Sequence, residues 1–289
     1  MLAPFYSDRK FLEALFPLRT GYKLNLDNPQ TFNEKLQWLK LYDRRPKYTQ
    51  MVDKVEAKKY VASIIGEDHI IPTLAVYDRA EAIDFDALPN QFVLKCTHDS
   101  GGIVICRDKS KLDRKAAIKK LKHGLNVNYF YQNREWPYKN VKPRIIAEQY
   151  MCNDDKVELA DYKVHNFNGK PKFILVCCDR YKDTGMTEDF YSCQWKHLDI
   201  SRPDHPQAAR PSNCPPELDE MLLLSEKLSK DIPFVRTDFY TIGNKVYFGE
   251  LTFFPSSGMK AFIPTEWDKT FGGWLKLPPK YNEKNRTAN

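Results

Sequence analysis

Apolar positions recur at helical spacing early in the chain and at strand spacing later. From Asn33 to Tyr42, the residues Leu36, Trp38, Leu39 and Leu41 follow a Thr31 or Asn33 cap, and Val52 to Ile65 repeats the period. The first seventy residues therefore read as mainly helical, with no βαβ nucleotide unit. Phe92-Val93-Leu94-Lys95-Cys96 and Ile103-Val104-Ile105-Cys106 read as two strands around a polar loop, and a charged helix follows from Asp113 to about Leu125. Further strands around Tyr162 to Phe167 and Phe173 to Cys177 are turned by Asn168-Gly169. A polar, Pro-rich connection from Asp199 to Pro216 precedes a helix from Glu217 to about Lys230. The last feature is a hairpin, Val235 to Phe239 and Tyr247 to Thr252, joined through Ile242-Gly243-Asn244-Lys245. No internal repeat or low-complexity tract interrupts this order.

Composition narrows the class. The 289 residues, 42% hydrophobic and 29% charged, are enough to bury a real core in one large domain or two lobes. No apolar stretch approaches the roughly 20 residues of a membrane-spanning helix, and the first ten residues lack a secretory apolar region, so a cytoplasmic protein is expected. Seven cysteines with no C-x-x-C pair suit reduced thiols better than a disulfide framework or a structural zinc site. The net charge of +7 includes a basic tail at Lys276, Lys280, Lys284 and Arg286 and a basic run from Lys109 to Lys122. Neither block is dense or aromatic-interleaved enough for a nucleic-acid footprint. The tail leaves room for peripheral membrane association, beside the plainer reading of a solvated surface.

Two segments carry chemistry. On the hairpin, strand alternation sends Asp238, Glu250 and Thr252 to one side, where oxygen ligands could hold a hard cation such as Mg²⁺; an edge hairpin with solvated acids is the plainer alternative. Arg236 lies two residues before Asp238, on the same face. In the middle of the chain, Ser100-Gly101-Gly102 lets backbone amides approach a ligand and cradle phosphate oxygens, with Lys95 as a point charge on the preceding strand. The loop matches neither G-x-x-x-x-G-K-[ST] nor G-x-G-x-x-G. Lys95 sits in an apolar run where an unpaired ammonium is costly, so an anionic partner is expected.

Taken in order, Asp53-Lys54-x-x-x-Lys58, Ile71-Pro72-Thr73, Phe92 to Lys95 with its glycine loop, Glu148-Gln149-Tyr150 and the Asp238/Glu250 hairpin resemble the ATP-grasp superfamily. Phe32 to Lys40, Lys95 to Gly102, Arg134-Glu135-Trp136 and Gly249-Glu250-Leu251-Thr252 resemble, more narrowly, the TupA-like ATP-grasp proteins of bacterial surface-polysaccharide gene clusters. The likeness spans about residues 10 to 275. It implies an α+β ATP-grasp fold in which two α+β lobes grip ATP. The chain is then divided into a helical segment (1–70), a lid lobe (71–150), a C-terminal lobe with the metal site (151–275) and the tail (276–289). It also implies roles. Lys54 and Lys95 reach the nucleotide phosphates, Ser100, Gly101 and Gly102 form the phosphate loop, and Glu148, Gln149 and Tyr150 meet adenine and ribose. Asp238 and Glu250 hold Mg²⁺, Lys163 is a phosphate-directed cation, and Thr252 stands where many members place Asn.

The activity so implied is phosphoryl transfer from ATP to a carboxylate, giving an acylphosphate that an amine attacks. Arg236 would steady the γ-phosphate or acylphosphate oxygens, or simply pair with Asp238. The expected substrates are a saccharide carboxylate such as a uronic acid and a small amine. Two other activities remain open: a glycosyltransferase, although Asp84-Phe85-Asp86 is more simply a loop than a metal-binding D-x-D, and an ATP-dependent sugar kinase. His98 reads as a neutral histidine bonded within its loop, and the aromatic group Tyr129, Phe130, Tyr131, Trp136 and Tyr138 as core more than as a sugar platform.

Overall fold

Two Asn/Gly turns fix the register of the larger sheet. The computed structural model describes residues 6–99, 101–152, 159–178 and 185–281. Within it, Asn168 and Gly169 (φ 51° and 78°) join β5 (Asp161–Phe167) to β6 (Lys170–Cys178), and Gly243 and Asn244 (φ 55° and 60°) join β8 (Phe234–Ile242) to β9 (Lys245–Thr252). Positive φ at both central residues is what a two-residue hairpin loop requires, and Asn and Gly tolerate it at least cost. With β7 (Thr187–Ser192) the sheet runs β7-β6-β5-β8-β9, antiparallel throughout. The helix α7 (Leu218–Ser229) covers one face, where Ser225 Oγ bonds both Asn166 and Thr237.

The other sheet runs β1-β4-β2-β3, from β1 (Thr73–Tyr77), β2 (Phe92–Cys96), β3 (Ile103–Cys106) and β4 (Ile145–Gln149), again antiparallel. Phe92, Leu94 and Cys96 of β2 are fully buried in a small core with Ala117 and Leu121 of α5 (Arg114–Leu125). Alternation therefore turns Lys95 to the opposite face, toward the larger sheet.

At the N-terminus, α1 (Asp8–Thr20) stops at Gly21, whose φ of 82° suits a left-handed cap. Thr31 and Glu34 form a capping box that opens α2 (Phe32–Tyr42). The period read across Val52 to Ile65 is two helices, α3 (Lys47–Val52) and α4 (Lys54–Ile65), broken at Asp53. Extended backbone there lets the Asp53 carboxylate cap the amides of Val55 and Glu56 while accepting from Arg144. α6 (Phe130–Asn133) is a single turn before β4, and α8 (Glu266–Trp274) closes the described chain. Helices α1 to α4 contribute Leu12, Phe16, Phe32, Leu36 and Val61 to the same core as Phe167, Phe173 and Phe234 of the five-stranded sheet. Between α4 and β1, Ile70 pairs with Phe248 of β9, so the connection between the sheets is pinned to the hairpin.

Candidate nucleotide and metal site

Between the two sheets lies a cleft of about 370 Å³. From the four-stranded side it is lined by Lys95, Glu148, Gly101 and Gly102, from α4 by Lys54 and Lys58, and from the five-stranded side by Asp161, Lys163, Asp238 and Glu250. Arg236 and Thr252 stand behind the last two.

On the smaller sheet, Glu148 is 4% exposed and lies between two lysines. Lys95 Nζ is 2.6 Å from its Oε2, and Lys58 Nζ meets Oε1. Burial alone would push the carboxyl up, but the charges of Lys95 and Lys58 outweigh it and hold it at about 2. The anionic partner that Lys95 required is therefore Glu148. Lys58 also donates to Ile71 O and Thr73 Oγ1, while Lys95, about a quarter exposed, keeps a face to the cleft.

The glycine loop is tight on one side and open on the other. A Cβ at Gly102 would come within 2.6 Å of Asp99 Oδ2 and 2.8 Å of Cys96 Sγ, so glycine is required for close packing; Gly101 has φ 140° and open space around it. Lys54 Nζ donates to Asp99 O at 2.5 Å, and its pKa is lowered by burial despite Glu250 and Asp99. Ser100 lies outside the described residues. His98 donates from Nε2 to Val127 O, beyond α5, so its bond leaves the loop instead of staying within it, while burial lowers its pKa and keeps the ring neutral.

On the larger sheet, β8 and β9 pair Asp238 with Glu250 and Arg236 with Thr252, and β5 sets Lys163 opposite Asp238. A bulge at Gly249 restores the facing of Glu250 after Phe248 pairs with Phe239; a Cβ there would meet the Tyr240 ring at 2.9 Å. Arg236 grips Asp238 through Nε and Nη2, both at 2.6 Å, and reaches Glu250 at 2.8 Å and Thr252 Oγ1 at 3.1 Å. Burial alone would lower its pKa, but Asp238 and Glu250 raise it. Lys163 donates to Asp161 at 2.5 Å and Asp238 at 2.7 Å, and Asp238 keeps it charged against burial. Of the two readings of Arg236, the structure shows the pair with Asp238.

Among the described residues no group of three or more His, Cys, Asp or Glu side chains is arranged as a metal cage. Two facing carboxylates and a hydroxyl suit Mg²⁺ of the kind that takes one or two protein carboxylates and completes its shell with phosphate and water. Glu250 Oε1 is engaged by Arg236 and Thr252, and its side chain is half exposed to the cleft.

The remaining candidates divide between the cleft and the surface. The Gln149 amide is committed to Pro72 O and its side chain is exposed; Tyr150 Oη accepts from Arg107. Asp84 accepts from the amides of Asp86 and Ala87, and Asp86 pairs with Arg114, so that D-x-D is a surface turn. In the aromatic group Phe130 is buried, Tyr131 is 42% exposed and Tyr138 lines the cleft. Lys284 and Arg286 lie outside the described residues. Lys58 and Asp161 were absent from the expected contacts, yet simple periodicity points to both: Lys58 is one helical turn from Lys54, and Asp161 is one strand repeat from Lys163.

Lys95 and the glycine loop on one sheet thus face the paired carboxylates Asp238 and Glu250 on the other across the cleft. The chain belongs to the TupA-like ATP-grasp family, whose profile matches residues 34–276. No curated protein sequence matches the chain. Among solved structures it is similar to D-alanine–D-alanine ligase from Bacillus anthracis complexed with ATP (16% identity, 77% of this chain, 61% of that one, TM-score 0.44). It is also similar to D-alanine–D-alanine ligase from Helicobacter pylori (18%, 85% and 69%, TM-score 0.43). A third is the ATP-grasp ligase PsnB with Mg, ADP and a phosphomimetic variant of its minimal precursor (10%, 73% and 51%, TM-score 0.38). The chain spans about six-tenths of the length of the first of these. No helix among the described residues is long and apolar enough to cross a membrane.

Proposed function

We propose that the protein is an ATP-dependent carboxylate–amine ligase acting through an acylphosphate, in the assembly of a bacterial surface polysaccharide or its precursor. A carboxylate oxygen attacks the γ-phosphorus of ATP, the bond to the β-phosphate oxygen breaks, and ADP leaves. The amine nitrogen then attacks the acyl carbon, expelling phosphate and leaving an amide after loss of a proton. The observation that carries this reading is the opposition of Lys95 and the glycine loop on one sheet to Lys163, Arg236, Asp238 and Glu250 on the other.

Such a transfer depends on positioning and charge neutralisation more than on a protein nucleophile. Lys95 and Lys54 would draw the phosphates into the cleft, and the Gly101-Gly102 backbone would close over them. Asp238 and Glu250, with Thr252 as a weak third donor, would hold Mg²⁺ arriving with ATP, which neutralises phosphate charge. Arg236 already contacts all three and would steady the oxygens that gain charge. Glu148 would serve by holding Lys95 in place, and the backbone of Tyr150 would read the base. The uronic acid and small amine fit the family's setting and await test, as does a cytoplasmic location.

The test is calorimetric titration of Mg·ATP and of UDP-sugars into the wild type, Lys95→Ala and Glu250→Gln. ATP binding that weakens in both variants supports the ligase site and leads to a screen of acid and amine pairs for ADP release. UDP-sugar binding with no ATP response would sink it in favour of a glycosyltransferase. A phosphorylated sugar in place of an amide would point to a kinase.

A further inference from the structure

Beyond the carboxylate pair, three of the buried polar atoms that make no hydrogen bond among the described residues lie close together: Arg202 Nε, Glu188 Oε2 and His165 Nε2. Their residues are almost wholly enclosed, His165 at 1% and Arg202 at 7% exposure. Arg202 Nε and Glu188 Oε2 meet only as a 3.7 Å ion pair and His165 Nε2 has no bond, and a buried polar atom without a hydrogen bond costs on the order of 1–3 kcal/mol.

They are neighbours. His165 lies opposite Arg236 across β5 and β8. Glu188 on β7 faces Cys177, which faces Asp161. Arg202 Nε comes to 3.7 Å from Glu188 Oε2, its Nη1 donates to Ser256 Oγ at 2.9 Å, and its guanidinium lies 5.3 Å from the Phe262 ring centre and 5.7 Å from that of Phe190. His165 Nδ1 is 2.9 Å from Lys163 O; a carbonyl only accepts, so the proton is on Nδ1. Burial and the Arg236 and Arg202 charges hold the ring neutral, which leaves Nε2 a bare acceptor.

The backbone beside them is strained. Ser256 (φ 48°, ψ 32°), Ser257 (φ 56°, ψ 19°) and Gly258 (φ 58°) are successive left-handed residues, a conformation that costs a non-glycine residue roughly 1–3 kcal/mol. Side chains distant in sequence impose it. Gln37 donates to Ser257 O and Gly258 O, Lys40 donates to Ser257 O, and Ser257 Oγ donates to Glu135. Those are the Phe32–Lys40 and Arg134–Trp136 motifs, to which the nucleotide site gives no task. The turn they hold leaves Ser256 exposed four residues beyond Thr252, with Arg202 bonded to its hydroxyl.

We propose that Arg202, Ser256, Glu188 and His165 form the acceptor subsite, taking a carboxylate whose neighbouring carbon carries a hydroxyl or amino group. This rests on the ligase reading. The guanidinium and serine hydroxyl are donors suited to the carboxylate, and Arg236 lies on the side toward the phosphates. Glu188 and His165 are acceptors suited to the hydroxyl or ammonium beside it. Entry is at Ser256, where the ligand exchanges for the Arg202–Ser256 bond. Sugar acids and α-amino acids share this chemistry, and the Pro-rich connection that carries Arg202 becomes a wall of the site.

The test is calorimetry of free sugar acids (D-glucuronate, D-galacturonate) and, separately, α-amino acids (glycine, L-alanine, L-lysine) into the protein saturated with Mg²⁺ and a non-hydrolysable ATP analogue. At least one set should bind the wild type, about tenfold or more weaker in Arg202→Met and about threefold weaker in Ser256→Ala, with partial recovery in Arg202→Lys. Analogue affinity should stay within about twofold in every variant, which a general loss of structure would not allow. Whichever set binds identifies the source of the carboxylate. Equal acid affinity in Arg202→Met and Ser256→Ala overturns the subsite, as does failure of every acid to bind an analogue-loaded wild type. Failure of the analogue itself overturns the ligase reading on which the subsite depends. If Arg202→Met does not fold, Arg202→Lys and Ser256→Ala decide alone.

Discussion

Glu148 is held by two lysines that do different work. Lys58 is also tied to Ile71 O and Thr73 Oγ1, whereas Lys95 pairs with Glu148 and keeps a face to the cleft. Lys95→Ala is therefore expected to weaken Mg·ATP binding by roughly 10- to 100-fold, the loss of one charge-assisted contact, and to lower stability through Glu148 by less than it lowers affinity. Lys58→Ala should do the reverse, lowering stability more than affinity; calorimetry and thermal unfolding of both separate the roles. The same group predicts an acid response. The Glu148 carboxyl is depressed from 4.5 to about 2, so its contribution is fully present above pH 4.5 and disappears as the pH falls toward 2. At 1.36 kcal/mol per unit this is on the order of 3 kcal/mol. Urea unfolding of wild type and Glu148→Gln at pH 6 and pH 3 should show the difference between them shrinking at the lower pH. A constant difference would mean that the lysines do not hold the carboxylate charged.

Among the elements, α8 approaches α2 so closely that no side chain fits between them. A Cβ at Gly272 would fall 2.1 Å from Gln30 O and 2.8 Å from Thr31 C, both backbone atoms just before α2. Gly272→Ala should cost about 3 kcal/mol, because neither neighbour can rotate away. Gly273→Ala, with nothing within 4 Å, should be neutral or slightly stabilising, and thermal unfolding of the pair tests the contact. That contact was not legible in the sequence, since nothing in Glu266 to Trp274 says which of the adjacent Gly272 and Gly273 meets another backbone. What was legible is local. Asn168-Gly169 and Gly243-Asn244 announce their hairpins, Thr31 and Glu34 their cap, and the alternation of Arg236 and Asp238 puts both on one face. The break at Asp53 was hidden because the apolar period continues across it, and β7 because Thr187 to Ser192 has no clean alternation. In the site, Asp238 and Glu250 could be paired from the turn between them. Their engagement by Arg236 and Lys163, and the convergence of Gln37, Lys40, Glu135 and Arg202 on one turn, are long-range facts that spacing does not encode.

In the whole molecule the two sheets have separate cores, with Leu94 and Leu121 in one and Phe173 and Phe234 in the other. Besides the chain connections and the Ile70–Phe248 bridge, they face each other across a polar cleft. A nucleotide held by Lys95 from one side and by Asp238 and Glu250 from the other would join them, and its binding energy would then resist unfolding of both. At a free Mg·ATP concentration of 100 times Kd, mass action adds about 2.7 kcal/mol, a rise in melting temperature of about 5 °C for a chain of this size. Lys95→Ala and Glu250→Gln, on opposite sheets, should each remove about half or more of that rise at the wild-type concentration, and each should recover it when Mg·ATP is raised to 100 times its own Kd. A nucleotide seated on one sheet alone would instead leave one of the two variants with the full wild-type rise. Differential scanning fluorimetry with and without Mg·ATP reads this directly, because a ligand that bridges two lobes must be sensitive to a charge removed from either.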